Sequence, residues 1–167
     1  MIEKTKKQGQ LASGAKKRSH YIVARVLHWA TAYFIVMNLT TGWPIGGLRP
    51  GEKEPLAMIH ASMGTTILLL MLFRWWWRKS RELYRRPKWW KKPRTLVQRV
   101  FFPLLSLQII FGAMHAAFSD YEVVAFGFIN YSAIAADNPG LYELFLQAHG
   151  VTAVLLAVLI IYHGVAR

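Results

Sequence analysis

Apolar residues gather in four long blocks, at about 22–43, 56–77, 97–118 and 145–166, each close to the roughly 20 residues that a helix needs to cross a bilayer. The blocks are too long for strands and too continuous for one-sided surface helices. The pattern predicts an all-α fold, an integral membrane bundle of four helices. Polar residues are left to a head of about twenty residues, three connections and almost no tail. Residues 1–20 are expected to be a disordered basic segment, with 21–167 forming a single transmembrane domain. The first block is not a cleavable signal, because its apolar stretch is full length, carries Arg25, His28 and Asn38, and leads to no small-residue cleavage site. The third connection holds the apolar piece Val123 to Ile129 and the turn signal Asn138-Pro139-Gly140, and is expected to fold as a lid or short interfacial helix. The chain shows no internal repeat.

Composition narrows the class. Of 167 residues 54% are apolar, yet Lys+Arg number 21 against 8 Asp+Glu, a formal net charge of +13. That apolar content excludes a disordered chain. A nucleic-acid binder would spread its cations among polar residues, whereas here they stand in blocks between the spans. The head and first helix start hold Lys4, Lys6, Lys7, Lys16, Lys17, Arg18 and Arg25, and the second connection, Arg74 to Arg99, has eleven basic residues with only Glu82 against them. The first connection balances Arg49 and Lys53 with Glu52 and Glu54, and the third has no basic residue. Because Lys and Arg mark cytoplasmic loops, both termini and the second connection are expected inside. Trp75, Trp76, Trp77, Trp89 and Trp90 fit an aromatic belt at that surface. The basic blocks are read as orientation signals and as attraction to anionic lipid, with no role for nucleic acid.

The candidate chemistry lies in the histidines. With no cysteine there is no thiolate metal site and no thioether-attached haem. Five of the six histidines fall inside spans, where ionisable residues are costly and point to function. Helical rise places His28 and His163 on the inner side of their helix midpoints, and His60, His115 and His149 on the outer side. His149 and His163 are fourteen residues apart, two heptads on one face and about 21 Å along the axis. His28 is the remaining intramembrane imidazole at the inner level and so pairs with His163. At the outer level His60 and His115 both remain open as the partner of His149, since Gly64 follows the first and Gly112 precedes the second at helical spacing. Imidazoles facing each other across a bundle suit a haem iron with two axial histidines, a centre without an open position that transfers electrons. Zinc or copper would need more ligands than either level offers. Met58, Met63 and Met114 are read as packing, and the hydroxyls of Ser62 and Thr65 as bonded within their helix.

Several segments carry a family likeness: Arg25-Val-Leu-His28-Trp29, Met58-Ile-His60-Ala-Ser-Met-Gly64, Arg74 with Arg78, Phe126-Gly127-Phe128, and His149 with His163. On these the chain resembles the bacterial diheme cytochrome b561 family over roughly residues 20–167. The resemblance implies a transmembrane cytochrome b domain of the bacterial inner membrane with two b-type haems. It implies that His60 with His149 hold the outer one and His28 with His163 the inner. It further implies quinone as one redox partner and, in one branch, superoxide as electron donor. Other branches are haem-carrying subunits that pass electrons between a protein partner and quinone, and a haem-free interaction protein is the third class the sequence allows. Arg25, Arg74 and Arg167 lie near the inner level, where they could meet haem carboxylates or orient quinone. Two departures stand out: Gln98 occupies a position where relatives have His, so it can hydrogen-bond but cannot carry a proton, and the last ligand is followed by almost no basic tail.

Overall fold

The computed structural model describes the backbone of residues 2–49, 51–80 and 93–165, and the side chains of 18–49, 51–80 and 99–165. It contains helices α1 (Ile2–Ile45), α2 (Lys53–Ser80), α3 (Pro93–Ala117) and α4 (Pro139–Val165), with strands β1 (Val124–Ala125) and β2 (Ile129–Asn130) between the last two. All four helices are long and apolar enough to span a membrane. Their apolar side chains point outward as often as inward: Leu69, Val158 and Ile161 are all exposed, the inverse of a water-soluble protein and the expected state of a surface solvated by lipid.

The helix bounds exceed the expected spans. The backbone of α1 is helical from Ile2, through the stretch expected to lack structure, and its Lys, Gln, Ala and Leu residues are good helix formers. At the other extreme α4 begins at Pro139 rather than near 145. Asn138 caps it, its Oδ1 accepting the Leu141 N–H at 3.1 Å, and Pro139 takes the first helical position, where its missing N–H costs nothing. Trp89, Trp90, Arg167 and the side chains of Gln98 and of Lys4 through Lys17 lie outside the described residues.

The helices pack as two antiparallel hairpins, α1 against α2 and α3 against α4, with few close backbone approaches from one hairpin to the other. The space between them is filled in layers that repeat every seven residues, the spacing that keeps one face of each helix turned inward. The middle layer is Ile35, Ile67, Leu105 and Leu156, one residue from each helix, all buried and clustered together with Met71. One heptad toward the ends that carry the first and third connections, the same faces bring Gly42, His60, Gly112 and His149. One heptad the other way they bring His28, Arg74 and His163. These two levels are called outer and inner below.

The third connection forms a β-hairpin rather than the short interfacial helix expected as one alternative, and its Tyr121, Val123 and Tyr131 line the outer cavity, as the other alternative, a lid, would have them do. β1 pairs antiparallel with β2, Val124 opposite Asn130. Phe126 and Gly127 both have positive φ, 54° and 76°, the handedness that tight hairpin turns require. The sequence does not announce this turn, because Phe is a poor residue for a left-handed position. The hairpin rests on α2, whose side chains complete its hydrogen bonding. The Phe126 N–H donates to Ser62 Oγ at 2.8 Å, and the hydroxyls of Tyr131 and Thr65 share a bond of 2.9 Å. Ser62 and Thr65 also bond the carbonyls of Met58 and Ala61 within α2, as expected.

Candidate functional site

At the outer level α2 supplies His60 and α4 supplies His149, and their ring centroids are 6.1 Å apart. Each imidazole lies against a glycine of the neighbouring helix. A Cβ on Gly42 would stand 2.6 Å from Cε1 of His60, and a Cβ on Gly112 would stand 2.8 Å from Cε1 of His149. Real side chains do not approach so closely, so the glycines are what allow the rings to lie there. Gly64 does something milder: a Cβ there would meet Asn38 Nδ2 at 3.7 Å, an ordinary contact.

A hydrogen bond to a carbonyl fixes the tautomer of His149. Nδ1 of His149 donates to the Gln108 backbone carbonyl at 3.0 Å, which leaves the lone pair on Nε2, the state a metal ligand needs. That Nε2 accepts the Gln108 side-chain amide at 3.1 Å, and the far side of the same amide bonds the Thr152 hydroxyl. Nδ1 of His60 meets the Thr41 hydroxyl at 3.3 Å. Around the pair opens a cavity of about 790 Å³ between the two helical hairpins, lined by both imidazoles, by Gly42, Gly64 and Gly112, and by His115 and Asn38. Asn38 Oδ1 and His115 Nε2 are buried with no hydrogen-bond partner among the described residues.

At the inner level the rings of His28 on α1 and His163 on α4 have centroids 6.5 Å apart. His28 also lies 5.6 Å from the Trp29 ring. Arg74 stands in this layer and is half-buried, whereas Arg25 is exposed. Around this end the Trp75 and Trp76 rings are exposed, and Lys79 Nζ lies 5.2 Å over the Trp75 ring. His115 does not partner His149: its ring packs 4.5 Å from Tyr142 instead.

Among the described residues no three or more His, Cys, Asp or Glu side chains group around one point. Each level offers two imidazoles, so an iron held there needs four further nitrogens from a macrocycle. Two metal–imidazole bonds of about 2 Å each, plus about 1 Å from each nitrogen to its ring centre, ask for centroids roughly 6 Å apart. Both pairs meet that spacing. A family model described as prokaryotic cytochrome b561 matches residues 19–166. The chain belongs to the prokaryotic cytochrome b561 family. No curated protein matches it. Membership of the cytochrome b561 family makes this a multi-pass membrane protein of haem-based electron transfer, with b-type haem as its cofactor. The residues fit that cofactor in three ways: imidazoles facing each other at the spacing a shared iron asks for, glycines that let the outer rings lie close against neighbouring helices, and a cavity apolar over most of its depth.

Sequence reasoning reached the histidines, because depth alone sorts them into levels. It passed over Gly42, which stands beside Trp43-Pro44 and reads as a helix ending. The available signal was its place fourteen residues after His28, which puts it on the same face of α1. Gln108 was also missed, since a glutamine in a span carries no spacing signature of its own.

Proposed function

We propose that this cytochrome b561 holds two b-type haems, the outer between His60 and His149 and the inner between His28 and His163, and carries electrons across the bacterial inner membrane to or from quinone. Bound haem supplies a one-electron ferric–ferrous couple. The chain's own residues fix where it sits. The Gln108 carbonyl and Thr41 hydroxyl aim the outer imidazoles, the layer of Ile35, Ile67, Leu105 and Leu156 keeps water from the space between levels, and Arg74 offers the inner site a cation for a carboxylate. The carrying observation is that three of the four helices bring two imidazole pairs, at 6.1 and 6.5 Å, to matched inward faces two heptads apart. Both termini and the second connection are assigned to the cytoplasm from the bias of Lys and Arg.

The first outer connection balances Glu52 and Glu54 with Arg49 and Lys53, whereas the third carries Asp120, Glu122 and Asp137 with no basic residue, and that net acidic surface repels an anion such as superoxide. That charge favours a redox protein as the outer partner, in keeping with a haem-carrying subunit. Oxidised and dithionite-reduced spectra of the detergent-purified protein, with a haem assay, test the central reading: two low-spin b-type haems per chain are expected, and one or none overturns it. Quinone reduction by the isolated protein supplied with superoxide would overturn the preference for a protein donor.

A further inference from the structure

Beyond the outer imidazoles the cavity wall changes character. Lys53 precedes His60 by seven residues and Tyr142 precedes His149 by seven, whereas His115 follows Gly112 by three. Lys53 and Tyr142 therefore lie about 10 Å beyond the outer level on the faces of their imidazoles, and His115 about 4–5 Å beyond it on α3. All three line the cavity that His60, Gln108 and His149 line; Glu54, the acidic neighbour on α2, does not line it, though its Oε2 is also buried without a hydrogen-bond partner among the described residues. The His115 ring packs 4.5 Å from that of Tyr142, joining α3 to α4. Burial, with Tyr142 beside it, holds the Tyr121 hydroxyl well above the usual phenol range, so that it stays protonated. His115 Nε2 is buried without a hydrogen-bond partner among the described residues, a state that costs free energy unless a ligand completes it.

We infer that Lys53, His115 and Tyr142 form a carboxylate-binding rim that holds the acidic edge of the outer haem. The inference rests on the proposed haem site between His60 and His149. A haem is apolar over most of its ring and carries its two carboxylates on one edge. A cavity apolar in its depth and supplied at its mouth with an ammonium, an imidazole and a phenol accepts it in one orientation, because a buried carboxylate needs charge-assisted donors. Lys53 supplies charge, and His115 and Tyr142 supply direction. They are positioning residues, acting through the edge of the macrocycle rather than on its iron.

Redox titration of the purified full-length holoprotein, resolving the two haems, tests this. Removing a cation beside the haem favours the ferric state. Lys53→Met is expected to raise the ferric-to-ferrous ratio of the outer haem about tenfold at fixed potential, or about 59 mV for a one-electron couple. His115→Phe should move it in the same direction by a smaller factor and shift the haem carboxylate bands in the resonance Raman spectrum. Lys53→Arg should restore the wild-type value, and the inner haem should not move in any of the three. An outer midpoint and carboxylate bands unchanged in both Lys53→Met and His115→Phe would overturn the rim. A wild type that loses no haem when His149 becomes Ala would instead overturn the ligand assignment beneath it, so the two failures are separable.

Discussion

The two imidazole pairs share a helix and a spacing, yet they are held differently. At the outer level each ring is pressed against a neighbouring backbone, with Gly42 and Gly112 leaving room for nothing larger than hydrogen, and each Nδ1 has its own hydrogen-bond partner. At the inner level a Cβ on Gly164, the residue after His163, would meet nothing within 4 Å. The half-buried Arg74 supplies that layer with charge rather than close packing. The outer pair is thus seated by close packing and hydrogen bonds, whereas the inner pair has a cation within its own layer. That difference can be broken experimentally at several points.

The largest effect is expected from the ligands themselves. His149→Ala should remove the outer haem and spare the inner, and His163→Ala should do the reverse, each halving the haem-to-protein ratio measured on purified protein. If either variant kept both haems, the pairing of levels would fail. Next come the glycines. Gly112→Ala would place a methyl 2.8 Å from His149, and that ring is held by hydrogen bonds on both nitrogens, so it cannot easily yield. An overpacking penalty of about 1–3 kcal/mol should appear as loss of outer haem occupancy. Gly164→Ala, where a Cβ meets nothing within 4 Å, should bind haem like the wild type, and equal losses in the two variants would erase the contrast between crowded and open positions.

Leu156 sits between the levels and is 1% exposed. Leu156→Ala should cost about 2–5 kcal/mol and lower the thermal midpoint of the holoprotein. Because the residue lines the cavity of the outer site, the outer haem should be lost first on heating. Loss of both haems at one temperature would show that the middle layer supports the bundle as a whole.

How far the sequence alone leads depends on which physical signal each feature leaves. Four spans were legible because a bilayer imposes length and apolarity on any helix crossing it, and the levels of the histidines followed from a constant rise. Helix starts were less legible: α4 begins six residues before the apolar block does, at a cap formed by Asn138 and Pro139. The hairpin in the third connection was not legible because its turn uses Phe126 in a left-handed conformation, against the ordinary preference of the residue. The partner of His149 could not be chosen by spacing, since His60 and His115 are both at plausible depth. The structure separates them by a single heptad shift, one ring facing His149 and the other Tyr142. Gly42 had a readable heptad relation to His28, but a nearby proline masked it.

The smallest effect expected separates the two imidazoles within the outer pair. Nδ1 of His149 is held by a backbone carbonyl, which no side-chain substitution removes, whereas Nδ1 of His60 depends on the Thr41 hydroxyl. Partners that orient a ligand typically contribute 10–100-fold in metal affinity. The Thr41 bond is long at 3.3 Å, and its hydroxyl is shared with the Met37 and Asn38 carbonyls, so Thr41→Val belongs at the lower end, about tenfold weaker haem retention at the outer site. Gln108→Leu removes the amide that caps His149 Nε2 but leaves the carbonyl in place, so the ring keeps its tautomer and its aim. Haem retention in Gln108→Leu should therefore equal or exceed that of the wild type, because the group competing for Nε2 is gone. Timed haem transfer to an excess of apomyoglobin would rank the two variants. A Gln108→Leu protein that releases haem faster than Thr41→Val would mean that the side-chain amide, not the backbone carbonyl, positions His149.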